Sequence, residues 1–511
     1  MSSQLPQFPQ SYWTTSVDVP AFPILTTDLD ADVVIVGAGI TGITTSYLLS
    51  KEGLKVVVLE AGRLLHGTTG HTTAKITAQH DLIYDELIQH FGEDKARLYY
   101  DANNEALTFI RNTVDTEGIS CDLTNDHAYI YTQSTSSIGK LELEYRAYEK
   151  LGIDGLLTNH IELPIDVKSA LVMYNQAQFN PVSYLVALID RSVRAGAQVY
   201  EHTTAMKVVE GEKPVVITES GHRISCKYVI AASHFPFLDW KGFYFARLHA
   251  ERSYLLGVRV KDRYEGGMYI SADEPKRSIR VVHQEKEPLL LIGGGGHKAG
   301  QNSCTMNEYD ALKTFAYSVF DVKEIAYRWS AQDLVTLDKI PYIGQINGQN
   351  HNILIATGYR KWGMTNGTAA AHLLKNRILG IEDRYRELFD PSRFHADPEI
   401  KSLVTENLDV ASHLINGKLE SVQRRANSVE NDEGAVVSVN GKRAGAYRDV
   451  EGVLHLVDTT CTHMGCETNW NNGDRTWDCP CHGSRFSYTG EVIEGPAKEP
   501  LHKLELSYED G

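Results

Sequence analysis

The chain has 511 residues, 42% hydrophobic and 23% charged, and its 50 basic and 66 acidic side chains give a formal net charge of −16. That is the composition of a globular protein of about three domains at roughly 150 residues each, which excludes a single small binding module. An acidic balance with no block of lysine or arginine opposes nucleic-acid phosphates and anionic lipid surfaces, so small molecules and proteins are the expected partners.

Residues 1–20 hold neither the basic region nor the apolar run of a signal or transit peptide, and no stretch of about 18 apolar residues occurs anywhere. A cytoplasmic enzyme without a transmembrane segment is expected. Residues 32–36 are an apolar β-branched run, residues 41–52 suit a helix, and residues 55–60 (KVVVLE) repeat the buried-strand pattern, predicting a βαβ unit. Between strand and helix stands Gly37-Ala38-Gly39-Ile40-Thr41-Gly42. In this G-x-G-x-x-G pattern Gly37 permits the tight turn, Gly39 the approach of a pyrophosphate and Gly42 close helix packing, while the helix N-terminus supplies N–H donors. Glu60 ends the second strand, where a carboxylate accepts the ribose hydroxyls of an adenosine group.

Farther along, a helix is expected at residues 184–195 and alternating strands up to about residue 233. Strands dominate residues 235–328, apolar glycine-rich character returns at 352–367, and residues 368–379 read as a closing helix. The first fold is therefore read as discontinuous, with inserted segments forming a second layer. A polar stretch at residues 390–434, with an amphipathic run marked by Val410, Leu414, Ile415, Leu419 and Val422, reads as a linker containing one helix. Short strands begin near Ala435, and Asn440-Gly441 is a hairpin dipeptide.

Further motifs carry a resemblance: Glu60-Ala61-Gly62-Arg63, the loop Gly67-Thr68-Thr69-Gly70-His71-Thr72-Thr73, the strand end Val229-Ile230-Ala231-Ala232-Ser233, and Ile355-Ala356-Thr357-Gly358-Tyr359-Arg360-Lys361-Trp362-Gly363-Met364-Thr365. On these, residues 11–379 resemble the D-amino-acid oxidase and glycine oxidase superfamily of FAD-dependent oxidoreductases. The resemblance implies FAD rather than a nicotinamide cofactor, bound by Gly37, Gly39, Gly42, Glu60, Arg63, Thr68, Thr69, Thr72, Thr73, Ala231, Gly358, Trp362, Gly363, Met364 and Thr365. The early Gly/Thr loop would wrap the ring, and the late segment would offer backbone amides where reduced flavin carries negative charge. Arg360, Lys361 and Trp362 depart from the small or histidine residues commoner in the family. Lys361 is the catalytic candidate, either stabilising flavin charge or facing solvent. Arg247, Arg252 and Tyr254 lie in the strand-rich insertion where a substrate carboxylate clamp could be built, but each is read first as a surface or structural residue.

Of seven cysteines, Cys121, Cys226 and Cys304 are scattered and read as packing residues. The other four share one window: Cys461-Thr462-His463-Met464-Gly465-Cys466 and Cys479-Pro480-Cys481-His482-Gly483-Ser484. Two cysteines and two histidines also suit tetrahedral zinc, but zinc fingers keep the Cys pair and the His pair apart, whereas here they alternate. The alternation, CxH followed by CxxH, resembles a Rieske domain. That resemblance implies a [2Fe-2S] cluster with Cys461 and Cys479 on one iron and His463 and His482 on the other, the neutral ligands raising its potential. It further implies a Cys466–Cys481 disulfide, as in bc-type Rieske proteins, with a free thiol pair as the alternative. Ser484 matches the family serine that donates to a bridging sulfur, and Phe486 replaces the family tyrosine, so both bear on cluster tuning.

The expected fold class is α/β plus β. A discontinuous Rossmann-like FAD domain with a β-rich substrate domain would occupy residues 1–390, with FAD-binding segments at about 30–85, 180–235 and 330–380 and substrate segments at about 86–179 and 236–329; a linker (391–434) and a small all-β Rieske domain (435–511) would follow. The expected function is oxidation of an amine or amino acid on FAD, with electrons passing to the 2Fe-2S cluster and on to an external redox partner protein or quinone. The alternatives are a non-catalytic electron-transfer or redox-sensing protein and a Rieske oxygenase or its reductase. Against the oxygenase stand the C-terminal position of the Rieske motif, the extra cysteine pair, and no evident two-His-one-carboxylate set among 20 histidines.

Overall fold

The computed structural model describes residues 4–282, 287–302, 304–394, 396–419 and 422–505. At its centre the strand Val33–Val36, buried at all four positions, joins a six-stranded sheet in the order Tyr342–Gln345, Ile353–Thr357, Tyr228–Ala231, Val33–Val36, Val56–Leu59, Gln198–Tyr200. Neighbours run parallel except at the Tyr342–Gln345 edge, with Val33 opposite both Val56 and Tyr228. Parallel strands covered on both faces carry no polar alternation, which is why they stand out in the sequence as short apolar runs. The helices Ile40–Lys51, Pro181–Arg194 and Gly363–Leu379 pack together on this sheet; the last begins five residues before its expected start.

A nine-stranded mixed sheet forms the second layer. Its path runs Val322–Thr336, Leu248–Val260, Leu289–Lys298, Arg277–Val282, Met268–Ser271, Thr124–Thr132, Ser169–Gln178, Lys75–Ile76, with Gly155–Thr158 pairing to Ser169–Gln178. The insertions are less purely β than expected, since they contain the long helix Glu93–Glu117 and the helix Met306–Val319. In the latter, Tyr309, Leu312 and Ala316 are buried at i, i+3 and i+7, one apolar stripe of a surface helix.

The C-terminal part is all β in two small sheets. Glu433–Val439, Lys442–Arg448 and Leu454–Val457 form one; Asn469–Asn471, Thr476–Asp478, Arg485–Ser487 and Val492–Glu494 form the other. Asn440 and Gly441 both take positive φ, the turn that suits a two-residue hairpin. The stretch read as a linker is helical over Ala396–Leu419 and is held along one face, while Ile415 of the expected run is exposed. Lys298 Nζ reaches Glu406 Oε2 at 2.9 Å and Asp409 Oδ2 at 3.0 Å, and Val410 and Leu414 pack against the core holding the cluster-motif cysteines. Of the expected amphipathic run, the Leu419 side chain lies outside the described residues.

A buried ionic contact locks the C-terminal part to the nine-stranded sheet. Arg252, fully buried, donates to Ser330 Oγ at 2.9 Å and Gln332 Oε1 at 2.8 Å, and its guanidinium lies 3.4 Å from Asp478 Oδ2 and 3.7 Å from Asp474 Oδ2. Arg485 approaches Asp474 at 3.0 Å and Asp478 at 3.4 Å, and Tyr309 donates to Asp474 at 3.0 Å. This settles the two readings of Arg252 in favour of the structural one: it faces the C-terminal part, where two carboxylates already compensate it, and makes no clamp for a substrate carboxylate. Arg247 is likewise engaged elsewhere, stacked on Tyr342 and donating to Pro391 O, whereas Tyr254 does line the central cavity.

Candidate functional site

A cavity of about 1070 Å³ opens at the C-terminal ends of the parallel strands, the position where open α/β sheets bind ligands. One wall comes from the turns after Val33–Val36, Tyr228–Ala231 and Ile353–Thr357, and the other from the nine-stranded sheet. Gly37, at φ +106°, makes a turn so close to the neighbouring strand end that a Cβ would stand 2.4 Å from Ala232 O. Glu60 accepts from Ala38 N at 2.9 Å and Gly62 N at 3.0 Å, which fixes its carboxylate beside the turn; burial raises its pKa although these amides oppose the rise. At Gly39 a Cβ would meet only Thr69 Oγ1, at 3.0 Å, so the absent side chain leaves a cradle open toward the cavity. These features fit a dinucleotide.

Of the residues expected at the cofactor, Gly37, Gly39, Glu60, Arg63, Thr68, Thr69, Thr72, Thr73, Trp362, Gly363 and Met364 line this cavity, and so does Lys361. Gly42, Ala231, Gly358 and Thr365 stand behind it. Gly42 serves packing, since a Cβ there would fall 1.9 Å from Gly37 O, and Thr365 donates to Thr77 O. Lys361 Nζ lies 3.8 Å from Glu251 Oε2, and its charge opposes the burial that pushes Asp333 up to about 7. Lys361 is thus one of the cations, with Arg360 and Arg252, that offset Glu251 and Asp333.

Trp362 is held by His80, whose ring stacks on it at 4.9 Å. His80 Nε2 lies 2.8 Å from Thr77 O and Nδ1 2.7 Å from Tyr99 OH, an arrangement that the neutral ring satisfies with Nε2–H donating to the carbonyl and Nδ1 accepting from the hydroxyl. Burial pulls its pKa from 6.5 to about 3. The folded protein therefore binds fewer protons here than the unfolded chain once pH drops below 6.5, and stability is lost as pH falls through that window. Urea unfolding in mildly acid buffers is expected to show a contribution of about 1.4 kcal/mol per pH unit from this ring, and His80→Gln to remove that share of the slope.

The cluster-motif loops lie directly behind the cavity wall. Cys466 and Cys481 form a disulfide. The sulfurs of Cys466, Cys479 and Cys481 lie within 4.8 Å of one another, but two of them are spent in that bond. The remaining donors are Cys461 and Cys479, adjacent thiols, and His463 and His482, whose rings stand 5.1 Å apart and perpendicular. The hydrogen bond between the two thiols pulls Cys461 down and pushes Cys479 up. His463 Nδ1 is buried without a hydrogen-bond partner. Two thiols, two imidazoles and an orphaned ring nitrogen fit a Rieske-type cluster. Ser484 Oγ accepts from Ala497 N at 3.0 Å, which leaves its hydroxyl hydrogen for Cys461, while Phe486 is fully buried in the small core.

Several residues that sequence reasoning passed over join the two sites. Phe235 lines the cavity, and its ring is 6.3 Å from that of His463. Asp239 Oδ2 lies 2.7 Å from His463 Nε2. From the C-terminal part, residues 492–498 close one side of the same cavity. None belongs to a local motif; each owes its place to a fold contact of more than 200 residues in sequence.

The family description "FAD dependent oxidoreductase" matches residues 32–377, and "Rieske [2Fe-2S] domain" matches residues 421–505. A protein of Bacillus subtilis (strain 168), YhfW, whose name describes it as a Rieske 2Fe-2S iron-sulfur protein, is 49% identical over 98% of both chains. The gamma-glutamylputrescine oxidoreductase of Escherichia coli (strain K12) is 25% identical, covering 73% of this chain and 90% of its own. Among solved structures, glycine oxidase from Geobacillus kaustophilus superimposes with a TM-score of 0.62 at 17% identity, over 72% of this chain and 99% of that one, a likeness of fold.

Proposed function

We propose that this chain, which belongs to the FAD dependent oxidoreductase family and carries a C-terminal Rieske [2Fe-2S] domain, oxidises an amine or amino acid and delivers the electrons to an external partner protein or quinone. Its cofactors are FAD and a [2Fe-2S] cluster. FAD takes two electrons from a substrate, and a Rieske cluster passes single electrons onward. In this reading Gly37, Gly39, Glu60 and residues 362–364 hold the flavin, and Cys461, Cys479, His463 and His482 hold the cluster.

The observation that carries the reading is Phe235. One buried ring forms part of the flavin cavity and also packs on a cluster histidine, so the two redox sites share a wall. The substrate class rests on the name of the E. coli relative and on the far wall of the cavity. There Lys276 pairs with Asp81, Lys75 donates to Tyr269 O and Ser278 Oγ, and Arg277 lies nearby, so both signs of charge face a small zwitterion.

Stopped-flow absorbance with a panel of amines and amino acids tests this. Flavin bleaching followed by cluster reduction is expected. Phe235→Ala is expected to slow cluster reduction by about tenfold relative to bleaching, equivalent to about 1.4 kcal/mol of barrier. Bleaching by no member of the panel would overturn the substrate class, and bleaching without cluster reduction would overturn the relay.

A further inference from the structure

His463 has two ring nitrogens with opposite circumstances. Nδ1 is buried and meets no hydrogen-bond partner, whereas Nε2 lies 2.7 Å from Asp239 Oδ2. If Nδ1 is the nitrogen that meets iron, Nε2 carries the hydrogen and donates it to the carboxylate. Asp239 is itself 5% exposed and sits in the short turn Asp239–Lys241, where its Oδ1 accepts from Trp240 N at 2.9 Å. The nearest cation in that turn, Lys241, is engaged with Glu210 at 2.5 Å. Among the described residues the ion pair made by Asp239 is with His463, so its charge is directed at that ring.

We propose that Asp239 is a positioning residue for the cluster, supplied by the oxidoreductase part: it fixes the tautomer and ring orientation of His463 and lowers the cluster's reduction potential. The inference rests on the reading that His463 is a ligand. The physical reason is short. A charge-assisted hydrogen bond from imidazole N–H to a carboxylate pushes electron density into the ring, raises the ligand's basicity and favours the more positive, oxidised cluster. Reduction would then add negative charge to a group whose ligand already bonds a fixed, buried negative charge, which is unfavourable. The same contact occupies the outer edge of His463, so an acceptor cannot take electrons by hydrogen bonding there. Its potential is therefore a property of the assembled chain rather than of the small β domain.

The experiment is a redox titration of the full-length holoprotein at one fixed pH, followed by the EPR signal of the reduced cluster, with the flavin potential as an internal control. Asp239→Asn keeps the size and an accepting oxygen but removes the charge. It is expected to raise the cluster potential by an amount equal to a tenfold or greater change in the oxidised-to-reduced ratio, about 59 mV for one electron, and to leave the flavin potential unmoved. Asp239→Glu is expected to stay near the parent value. If Asp239→Asn does not load its cluster, Asp239→Ser serves the same comparison. An unchanged or lowered cluster potential in a loaded, uncharged variant overturns the proposal. His463→Ala separates this from the ligand assignment: retention of the Rieske EPR signature in that variant would overturn the ligand reading itself, whereas its loss, with no shift in Asp239→Asn, would overturn the role of Asp239 alone.

Discussion

Gly39→Leu is expected to give a folded protein that purifies with its cluster and without its flavin. Gly39 caps the helix Ile40–Lys51 at φ −91° and ψ −166°, a conformation open to any L-residue, so the backbone does not oppose the change. The neighbour a Cβ would meet is the hydroxyl of Thr69, and the rest of a leucine would occupy the space where a pyrophosphate approaches the helix N-terminus. Flavin affinity should fall by on the order of 100-fold or more, about 2.7 kcal/mol, read as lost yellow absorbance with the cluster spectrum retained. Gly42→Leu provides the contrast. Its Cβ would fall 1.9 Å from Gly37 O, and loss of soluble protein, rather than of flavin alone, is the expected result. A Gly39→Leu protein carrying full flavin would remove this turn from the cofactor site.

Arg252→Met is expected to destabilise the chain by about 3–5 kcal/mol, because it leaves a buried pair of carboxylates short of one of two compensating cations. Asp474 and Asp478 are held between Arg252 and Arg485, all four side chains being largely or wholly buried. Methionine fills the volume of the arginine stem but supplies neither the charge nor the donors to Ser330 and Gln332. The check is the urea midpoint of the holoprotein. A change under about 1 kcal/mol, the range of exposed ion pairs, would show that water reaches this contact.

The contrast between these two sites explains what the sequence discloses. The Gly37–Gly42 turn, the strand pattern of residues 33–36 and 56–59, and the alternation of Cys461, His463, Cys479 and His482 are legible because each is set by neighbours a few residues away. A tight turn, a buried strand and a metal-ligand loop impose residue types at fixed spacing. Arg252 illustrates the opposite. A lone arginine in a strand carries no mark of its partners, which lie more than 200 residues downstream, and the chemistry of arginine suits a substrate carboxylate as well as it suits Asp474 and Asp478. The helix Met306–Val319 is hidden for a related reason: one apolar stripe on an otherwise polar surface helix is weak against the strands that flank it. Asp239 has no motif at all. Its meaning arises when the turn after Phe237 meets the loop of His463, and within the polar stretch that resembles a loose connection Ala396–Leu419 is a helix pinned by Lys298.

The buried ionic contact also bears on how such a chain is inherited. A Rieske domain grafted from another protein would bring two cysteines, two histidines and the disulfide, yet without carboxylates at the positions of Asp474 and Asp478 it would leave Arg252 buried and uncompensated. The reverse graft would bury two acids against an indifferent strand. Neither half is a free module, despite the separate folds and the separate cofactors. Substitutions at Arg252, Asp474, Asp478 and Arg485 are viable chiefly as coordinated sets, so the two halves have to diverge in step, and the joining of one cluster to one flavin is preserved by the contact surface as well as by the peptide chain.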